Sequence, residues 1–226
     1  MYFPVSHYKS ELQIIDSSDC KIINSNFPKT TIKNSNNIKI QDSQGPIDLY
    51  NSQNCIIKES RISISLVNSH QNKIFNNSIS IGMSGEPLLF NFENSCNNLI
   101  HQNYINCKAH KLISMTGNTN KNLFIANNFA NYAYFEPTFN HSGTNTFYYN
   151  NFFNANWLQT DPDFTVSKWD NGKEGNYWSN YNGTDANHDG IGDQPHIIDL
   201  HNQDLYPLME PVDIQQIDPP NLPSYP

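Results

Sequence analysis

The chain has 226 residues, a net charge of −8 and only 15% charged residues, with Arg61 as its single arginine. This length suits one domain, and the lack of a basic patch argues against a nucleic-acid partner. No apolar run reaches the roughly 18 residues of a membrane-spanning helix, so no membrane span is expected.

Residues 1–10 are predicted to be an N-terminal lead-in. The first five residues lack the basic and apolar regions of a secretory signal peptide. Three explanations stay open: the chain is a fragment, a leader has been removed, or the protein stays inside the cell.

Residues 11–153 contain seven short stretches that align with one another. Each begins with Asp, Asn or His followed by a hydroxyl residue, at Ser17, Ser35, Ser52, Ser69, Ser95, Thr119 and Ser142. Five positions later every stretch has an apolar residue: Ile22, Ile40, Ile57, Ile74, Ile100, Phe124 and Phe147. Such short-period self-similarity indicates a solenoid.

Further aligned positions support the repeat. Five residues beyond the first apolar position lie Phe27, Gly45, Ile62, Ile79, Ile105, Phe129 and Phe152. Small polar residues recur three positions after it, at Ser25, Ser43, Ser60, Asn77, Asn103, Asn127 and Asn150. A second asparagine column, Asn72, Asn98, Asn122 and Asn145, begins where the repeats lengthen. We therefore expect a narrow N-terminal part and a wider C-terminal part.

The residue types select the kind of solenoid. Alternation such as Ile38-Lys39-Ile40 has the period of a strand, and each repeat is too short for a strand with a crossover helix. We predict an all-β chain that forms a single-stranded parallel β-helix, with like residues stacked about 4.8 Å apart. The apolar columns fill the inside, and the Ser and Asn columns bond to backbone groups at the corners.

Residues 154–211 are predicted to form a C-terminal cap, because an open end of the β-helix would expose strand edges and core. The repeat stops after Phe153, and the segment that follows is rich in aromatic residues: Trp157, Phe164, Trp169, Tyr177, Trp178 and Tyr181. Residues 151–226 hold 2 basic and 12 acidic side chains, which favours cations or a solvated surface. Residues 212–226 read as a proline-rich extended tail or linker.

An aspartate-rich loop in the cap carries the strongest chemical signal. Its oxygen ligands would be Asp185, Asn187, Asp189, the Ile191 carbonyl and Asp193, with glycine at the sharp turn. This is the spacing of a calcium loop, so we consider bound Ca²⁺, with a metal-free polar turn or another metal as alternatives. The twelfth position is His196 instead of glutamate, and Asp199 or Asp204 could supply a missing ligand.

A weaker candidate for catalysis lies on the repeats. Asp42 and Glu59 fall in one column, one coil apart, with Arg61 nearby. Hydrolysis of glycosides needs two carboxyl groups about 5 to 9.5 Å apart, but a solvated outer face explains the same pattern. We therefore assign no catalytic residue.

The four cysteines are expected to be free thiols. Cys20 and Cys55 lie two coils apart, about 9.6 Å by the stacking distance, which exceeds the reach of a disulfide. A bond between Cys96 and Cys107 stays open. The scattered histidines and methionines do not favour copper.

The end of the chain resembles a known family. The stretches KWDNGKEGNYWSNY (168–181) and GTDANHDGIGD (183–193) are similar to the C-terminal signature of NosD-like parallel β-helix repeat proteins, of the pectin-lyase-like fold and archaeal type. Departures are Asn180 for Asp, Gln194 for Thr and His196 for Tyr. The resemblance implies a right-handed β-helix and a link to copper-enzyme maturation.

Three functions remain open. The first is a non-catalytic module that binds a polysaccharide or a cell-surface glycoprotein, located in the periplasm, at the cell surface or outside the cell. The second is a polysaccharide-active lyase, hydrolase or epimerase. The third is an accessory in the maturation of a copper enzyme.

Overall fold

The computed structural model describes residues 11–80, 88–106, 111–130, 138–140, 143–153 and 166–220. The strands in chain order are β1 (Leu12–Ile15), β2 (Lys21–Ile23), β3 (Thr30–Lys33), β4 (Lys39–Gln41), β5 (Ile47–Tyr50), β6 (Ile56–Lys58), β7 (Arg61–Ile62), β8 (Ile64–Val67), β9 (Lys73–Phe75), β10 (Ser78–Ser80), β11 (Leu88–Glu93), β12 (Leu99–His101), β13 (Tyr104–Asn106), β14 (Lys111–Thr116), β15 (Leu123–Ile125), β16 (Asn128–Ala130), β17 (Thr138–Asn140), β18 (Thr146–Tyr148), β19 (Asn151–Phe152), β20 (Tyr177–Trp178), β21 (His196–Ile197) and β22 (Gln203–Asp204). A 3-10 helix, Ile214–Gln216, follows them.

The chain folds as a parallel β-helix, which confirms the predicted fold class. Sheet 1 contains β1, β3, β5, β8, β11, β14 and β17; sheet 2 contains β2, β4, β6, β9, β12, β15 and β18; sheet 3 contains β7, β10, β13, β16, β19 and β20. From β5 to β19 the described strands belong to the three sheets in turn, one strand of each sheet per coil. Within the described residues no helix is long and apolar enough to cross a membrane.

The predicted first apolar column stacks in register on sheet 2. Each member pairs with the next: Ile22, Ile40, Ile57, Ile74, Ile100, Phe124 and Phe147. All are buried except Ile22, which is half-buried in the first described coil. Alternate residues on these strands face outward, because successive side chains of a strand point to opposite faces.

The second apolar column lies on sheet 3 and continues into the cap. Ile62, Ile79, Ile105, Phe129 and Phe152 pair in order, and Phe152 then pairs with Trp178. Gly45 interrupts the column for a steric reason. Its φ is +127°, and a Cβ there would lie 2.0 Å from the carbonyl oxygen of Phe27. Only glycine fits this corner.

The polar columns form continuous ladders of side chain to backbone hydrogen bonds. The hydroxyl groups of Ser35, Ser52, Ser69, Ser95 and Thr119 each accept a bond from the N–H of the equivalent residue one coil earlier. In the wider coils, asparagine side-chain oxygens of the two columns accept hydrogen bonds from both the backbone N–H and the side-chain N–H of the equivalent asparagine one coil earlier. These bonds satisfy backbone groups that the corners leave outside the sheets. Ser142 lies outside the described residues.

Residues with a left-handed backbone conformation lie one position before residues of the ladders. Asn76, Asn97 and Gln102, for example, have φ between +53° and +58°, and each precedes a buried ladder residue. Asparagine tolerates this conformation better than most residues. The abundance of asparagine therefore has two structural causes, one at the ladder and one beside it.

The cap closes the core with tryptophan and ends the ladders with the β21–β22 hairpin. Trp169 stacks on Phe147 with ring centroids 4.5 Å apart, and Trp178 stacks on Phe152 at 4.3 Å. Asn202 accepts a hydrogen bond from the N–H of Ser167 at 2.9 Å, at the end of one asparagine column. The aromatic cap agrees with the predicted fold class, although Trp157 and Phe164 lie outside the described residues.

Two further findings refine the sequence analysis. Cys20, Cys55 and Cys96 are free thiols, so the open Cys96–Cys107 disulfide is not formed, although Cys107 itself lies outside the described residues. Residues 212–217, read from the sequence as part of an extended tail, instead pack against the outside of sheet 2. The difference arises because outward-facing apolar residues on that sheet need cover.

Candidate functional site

The weak catalytic candidates do come together on the surface. Gln41 pairs with Lys58 across adjacent coils, which places the following residues, Asp42 and Glu59, side by side. Asp42, Glu59 and Arg61 line one surface depression of about 510 Å³. The sequence therefore located a real constellation at the corner between sheets 2 and 3.

The electrostatics of this depression do not suit acid catalysis. Glu59 is exposed, and its carboxylate accepts hydrogen bonds from Lys58 Nζ at 2.8 Å and from Gln41 Nε2 at 2.7 Å. The bond from Lys58 lowers the pKa of Glu59 below its usual value. A general acid at neutral pH needs a raised pKa. The depression can hold a polar ligand, but Glu59 is ionised and already paired.

The predicted calcium loop folds as a compact turn in which its own aspartates bond its backbone. Asp185 accepts from the N–H groups of Asp189 at 3.2 Å and Gly190 at 3.0 Å. Asp189 accepts from the N–H of Ile191 at 2.9 Å, and Asp193 accepts from Thr184 Oγ1 at 2.9 Å. The carboxylates of the loop therefore accept hydrogen bonds from groups of the loop itself.

The two proposed extra ligands have other roles. Asp199 accepts hydrogen bonds from the N–H groups of His201 at 2.7 Å and Asn202 at 2.8 Å. Asp204 is fully buried and accepts from the backbone N–H of Asn176 at 2.7 Å and from Trp178 Nε1 at 2.9 Å. Burial raises the pKa of Asp204 to about 6 against these bonds. Both carboxyl groups therefore accept hydrogen bonds within the cap and are engaged outside the loop.

The described histidines and cysteines do not form a three-residue cluster. His70 Nδ1 accepts from the N–H of Cys96 at 3.1 Å, while the Cys96 thiol donates to Asn118 O. His101 stacks on Phe75 and His196 on Trp178, and desolvation lowers the pKa of each imidazole to about 4. In the part of the chain that the structure describes, no group of three or more His, Cys, Asp or Glu is placed to hold a metal.

The sequence analysis missed a polar strip on the outer face of sheet 1. One short polar side chain per coil lies in register along it: Thr31, Asp48, Ser65, Asn91 and Ser114. Neighbours along the strip interact, as Asn91 Nδ2 donates to Ser65 Oγ at 3.2 Å. Lys29 Nζ lies 2.7 Å from Asp48 Oδ2. The signal was available, because these residues alternate with core residues on the same strands.

An aromatic residue lies beside the strip. Tyr50 is half-buried between Lys33 and Val67, two residues along its strand from Asp48 in the polar strip. Burial, together with the nearby Asp48 carboxylate, raises the pKa of Tyr50, so the phenol stays neutral and can donate a hydrogen bond. The face therefore combines a row of hydrogen-bonding groups with a partly exposed ring.

A protein-family model matches most of the chain. The family model described as "Periplasmic copper-binding protein (NosD)" matches residues 4–183, which is most of the chain. The chain belongs to the NosD family. The match to the NosD model ends before the aspartate-rich loop and before residues 212–217. It supports the resemblance noted in the sequence and places the chain in a family described as periplasmic.

Other comparisons add little. No curated protein matches the chain. A solved structure of trypsin-treated QnrB1, a plasmid-mediated fluoroquinolone resistance protein, is 7% identical, and the match covers 76% of both chains with a TM-score of 0.19. A score this low carries no argument about fold or function.

Copper, which the family description names, was tested against the side chains present. The described residues do not fit a copper site, because no three His, Cys, Asp or Glu side chains among them converge, and the His70–Cys96 pair is engaged in the corner hydrogen bonds given above. Met115 is buried in the hydrophobic core. We therefore derive no chemistry through copper in this chain.

Proposed function

We propose that this NosD-family chain is a non-catalytic module that binds an extended polysaccharide along the outer face of sheet 1, in the periplasm or at the cell surface. The carrying observation is the polar strip from Thr31 to Ser114. Its groups repeat about every 4.8 Å, so a polymer of repeating sugars can make the same kind of bond at successive coils. The glycan of a cell-surface glycoprotein would form the same hydrogen bonds with the strip.

The chemistry of the strip suits sugars. Hydroxyl and carboxamide groups both donate to and accept from sugar hydroxyl groups, and carboxylate groups accept from them. The ring of Tyr50 supplies an apolar face next to these groups, and small-molecule sites combine apolar surface with a few polar groups in the same way. The strip is also regular, because the parallel strands of sheet 1 pair in register from one coil to the next.

A non-catalytic role is supported by the state of the best acid candidate. Glu59 is ionised and paired with Lys58, and it lies in a corner depression instead of on the sheet 1 face. The one acidic side chain of the strip, Asp48, is paired with Lys29. Binding without turnover is therefore the expected behaviour.

Affinity electrophoresis in gels that contain candidate polysaccharides tests this function. Tyr50→Ala and Asn91→Ala should each reduce retardation by the polymer that retards the unsubstituted chain. Tyr104→Ala is the matched control, because Tyr104 is an exposed tyrosine on sheet 3, away from the strip. Equal losses in the Tyr50 and Tyr104 variants, or retardation by no polysaccharide, would contradict the proposal.

The family match favours a second function, an accessory in the maturation of a periplasmic copper enzyme. Such an accessory can act by holding a partner protein, without a metal site of its own. Copper titration followed by gel filtration and elemental analysis distinguishes the two modes. One retained equivalent of copper would support a direct metal role, and none would leave partner binding.

We also propose that the loop from Asp185 to Asp193 binds calcium. The loop is tied to the C-terminal segment, since Gly190 O accepts from the N–H of Met209 at 3.0 Å. The support for calcium is the oxygen spacing together with the excess of acidic residues in the cap. A bound cation would offset that repulsion and strengthen the cap.

A further inference from the structure

An apolar stripe runs along the outer face of sheet 2, where a solvated face is expected. Leu99 and Leu123 pair across adjacent coils and point outward, opposite to the core residues beside them. Ile125 also points outward, yet it is fully buried, and Leu99 is only 2% exposed. Something must therefore cover this stripe, and burial of such residues is favourable at about 25 cal/mol per Å².

The cover is the chain's own segment 212–217. Its apolar residues, Val212, Ile214 and Ile217, occupy the first, third and sixth positions, and they pack with the stripe in a cluster that is separate from the main core. Ile214 is 7% exposed. We call this segment the strap and the surface beneath it the groove.

The groove also holds the strap by its backbone. The side-chain amide of Asn151 makes two bonds to Val212, donating from Nδ2 to the carbonyl at 2.8 Å and accepting from the N–H at 2.9 Å. Gln102 Nε2 donates to the carbonyl of Ile217 at 3.2 Å. These three hydrogen bonds to the strap's backbone do not depend on the strap's side chains, while the apolar contacts do.

The strap lies outside the main hydrophobic core, in a separate cluster on the outer face of sheet 2. The core of the β-helix is closed by the cap tryptophans, and the strap adds no residue to that main cluster. The strap also lies beyond the residues that the NosD family model matches. The strap therefore contributes to the outer cluster and not to the main core.

We propose that the groove is a peptide-docking site, occupied in this chain by the strap, which accepts a segment of a partner protein that takes the same conformation as the strap and has apolar residues at positions one, three and six. The strap is tethered, and a short tether gives an effective concentration in the millimolar range. A partner segment therefore binds only when the strap is displaced. This inference concerns sheet 2 and does not depend on the polysaccharide function of sheet 1.

The test uses the full chain with a weakened strap. The release variant is Ile214→Ser with Ile217→Ser, and its control is Gln215→Ser with Gln216→Ser, at exposed strap positions. The probe is a fluorescent synthetic peptide with the sequence of residues 210–219, followed by fluorescence anisotropy. We expect saturable binding to the release variant, and binding at least about tenfold weaker to the control and to the unsubstituted chain.

Two further arms keep the inference falsifiable. The probe with serine at the Ile214 and Ile217 positions should not bind, and Gln102→Ala in the release variant should weaken binding. A folded release variant that shows no binding at about 1 mM peptide, the range of effective concentration that a tether supplies, or equal binding by all three chains, would overturn the proposal.

If the release variant does not fold, hydrogen exchange on the unsubstituted chain decides. The proposal requires the amides of the strap to exchange well before those of Ile100 and Phe124 in the core strands. Equal protection in the strap and in the core would overturn it.

Discussion

Replacing Asn127 with alanine removes one rung of a buried asparagine ladder. Asn127 Oδ1 accepts from the backbone N–H and from Nδ2 of Asn103, both at 3.0 Å. Its Nδ2 donates to Asn150 Oδ1 and to Ile100 O, both at 2.9 Å. The side chain is fully buried, so alanine leaves these partners without water to replace the lost bonds.

The expected loss follows from the groups left unpaired. The backbone and side-chain N–H donors of Asn103 each cost about 1–3 kcal/mol when buried without a partner, and the hydrogen bonds that Asn127 itself donates are lost as well. Some of this cost is recovered, because the ladder can relax or admit water. We therefore expect Asn127→Ala to lower the free energy of unfolding by about 3–5 kcal/mol, a large share of the stability of a domain.

Urea unfolding measures this loss, followed by β-sheet circular dichroism and by tryptophan fluorescence from the cap. Asn180→Ala is the matched control, because Asn180 is exposed on the cap, and its effect should stay within about 0.5 kcal/mol. A loss of less than about 1 kcal/mol for Asn127→Ala would refute the claim that the ladder stabilises the corners.

The remaining predictions concern charge, catalysis and metal. Burial raises the pKa of Asp204 from 3.8 to about 6, so the ionised side chain destabilises the fold as pH rises through that range. The urea midpoint of the unsubstituted chain, relative to that of the Asp204→Asn variant, should therefore fall as the pH is raised from below 3.8 to above about 6. A difference between the two midpoints that stays constant with pH would contradict this. Purified protein should not cleave uronic-acid polymers, and turnover abolished by Glu59→Ala or Asp42→Ala would overturn the non-catalytic assignment. A calcium chelator should lower the melting temperature of the unsubstituted chain and added calcium should restore it, whereas the melting temperature of the Asp189→Ala variant should respond to neither. A melting temperature unaffected by the chelator would favour the metal-free turn.

The sequence predicted the columns because the repeat has a physical cause. In a β-helix each coil adds the same contacts, so Ile74, Ile100 and Phe124 recur at nearly constant spacing and their register can be read directly. The residues that end the asparagine ladder could not be predicted from the repeat spacing. Asn176 continues the column after Asn150, and Asp204 ends it from a hairpin that has no repeat spacing.

The sites were harder to predict than the fold. Asp42 and Glu59 were placed together correctly, because their positions follow from the register, but the pairing of Glu59 with Lys58 depends on side-chain conformation. The strap was missed because its partners are outward residues of other coils. A signal did exist, since Leu99 and Leu123 break the alternation of apolar and polar residues expected on a solvated sheet.

The central claim is that the outer face of sheet 1 binds a polysaccharide without cleaving it. A crystal structure of the chain soaked with the oligosaccharide that a glycan array selects tests this claim most directly. We expect an intact oligosaccharide over Asp48, Ser65 and Asn91, with a sugar ring against Tyr50. Density in the depression of Glu59 and Arg61 instead, or a cleaved product at either place, would contradict it.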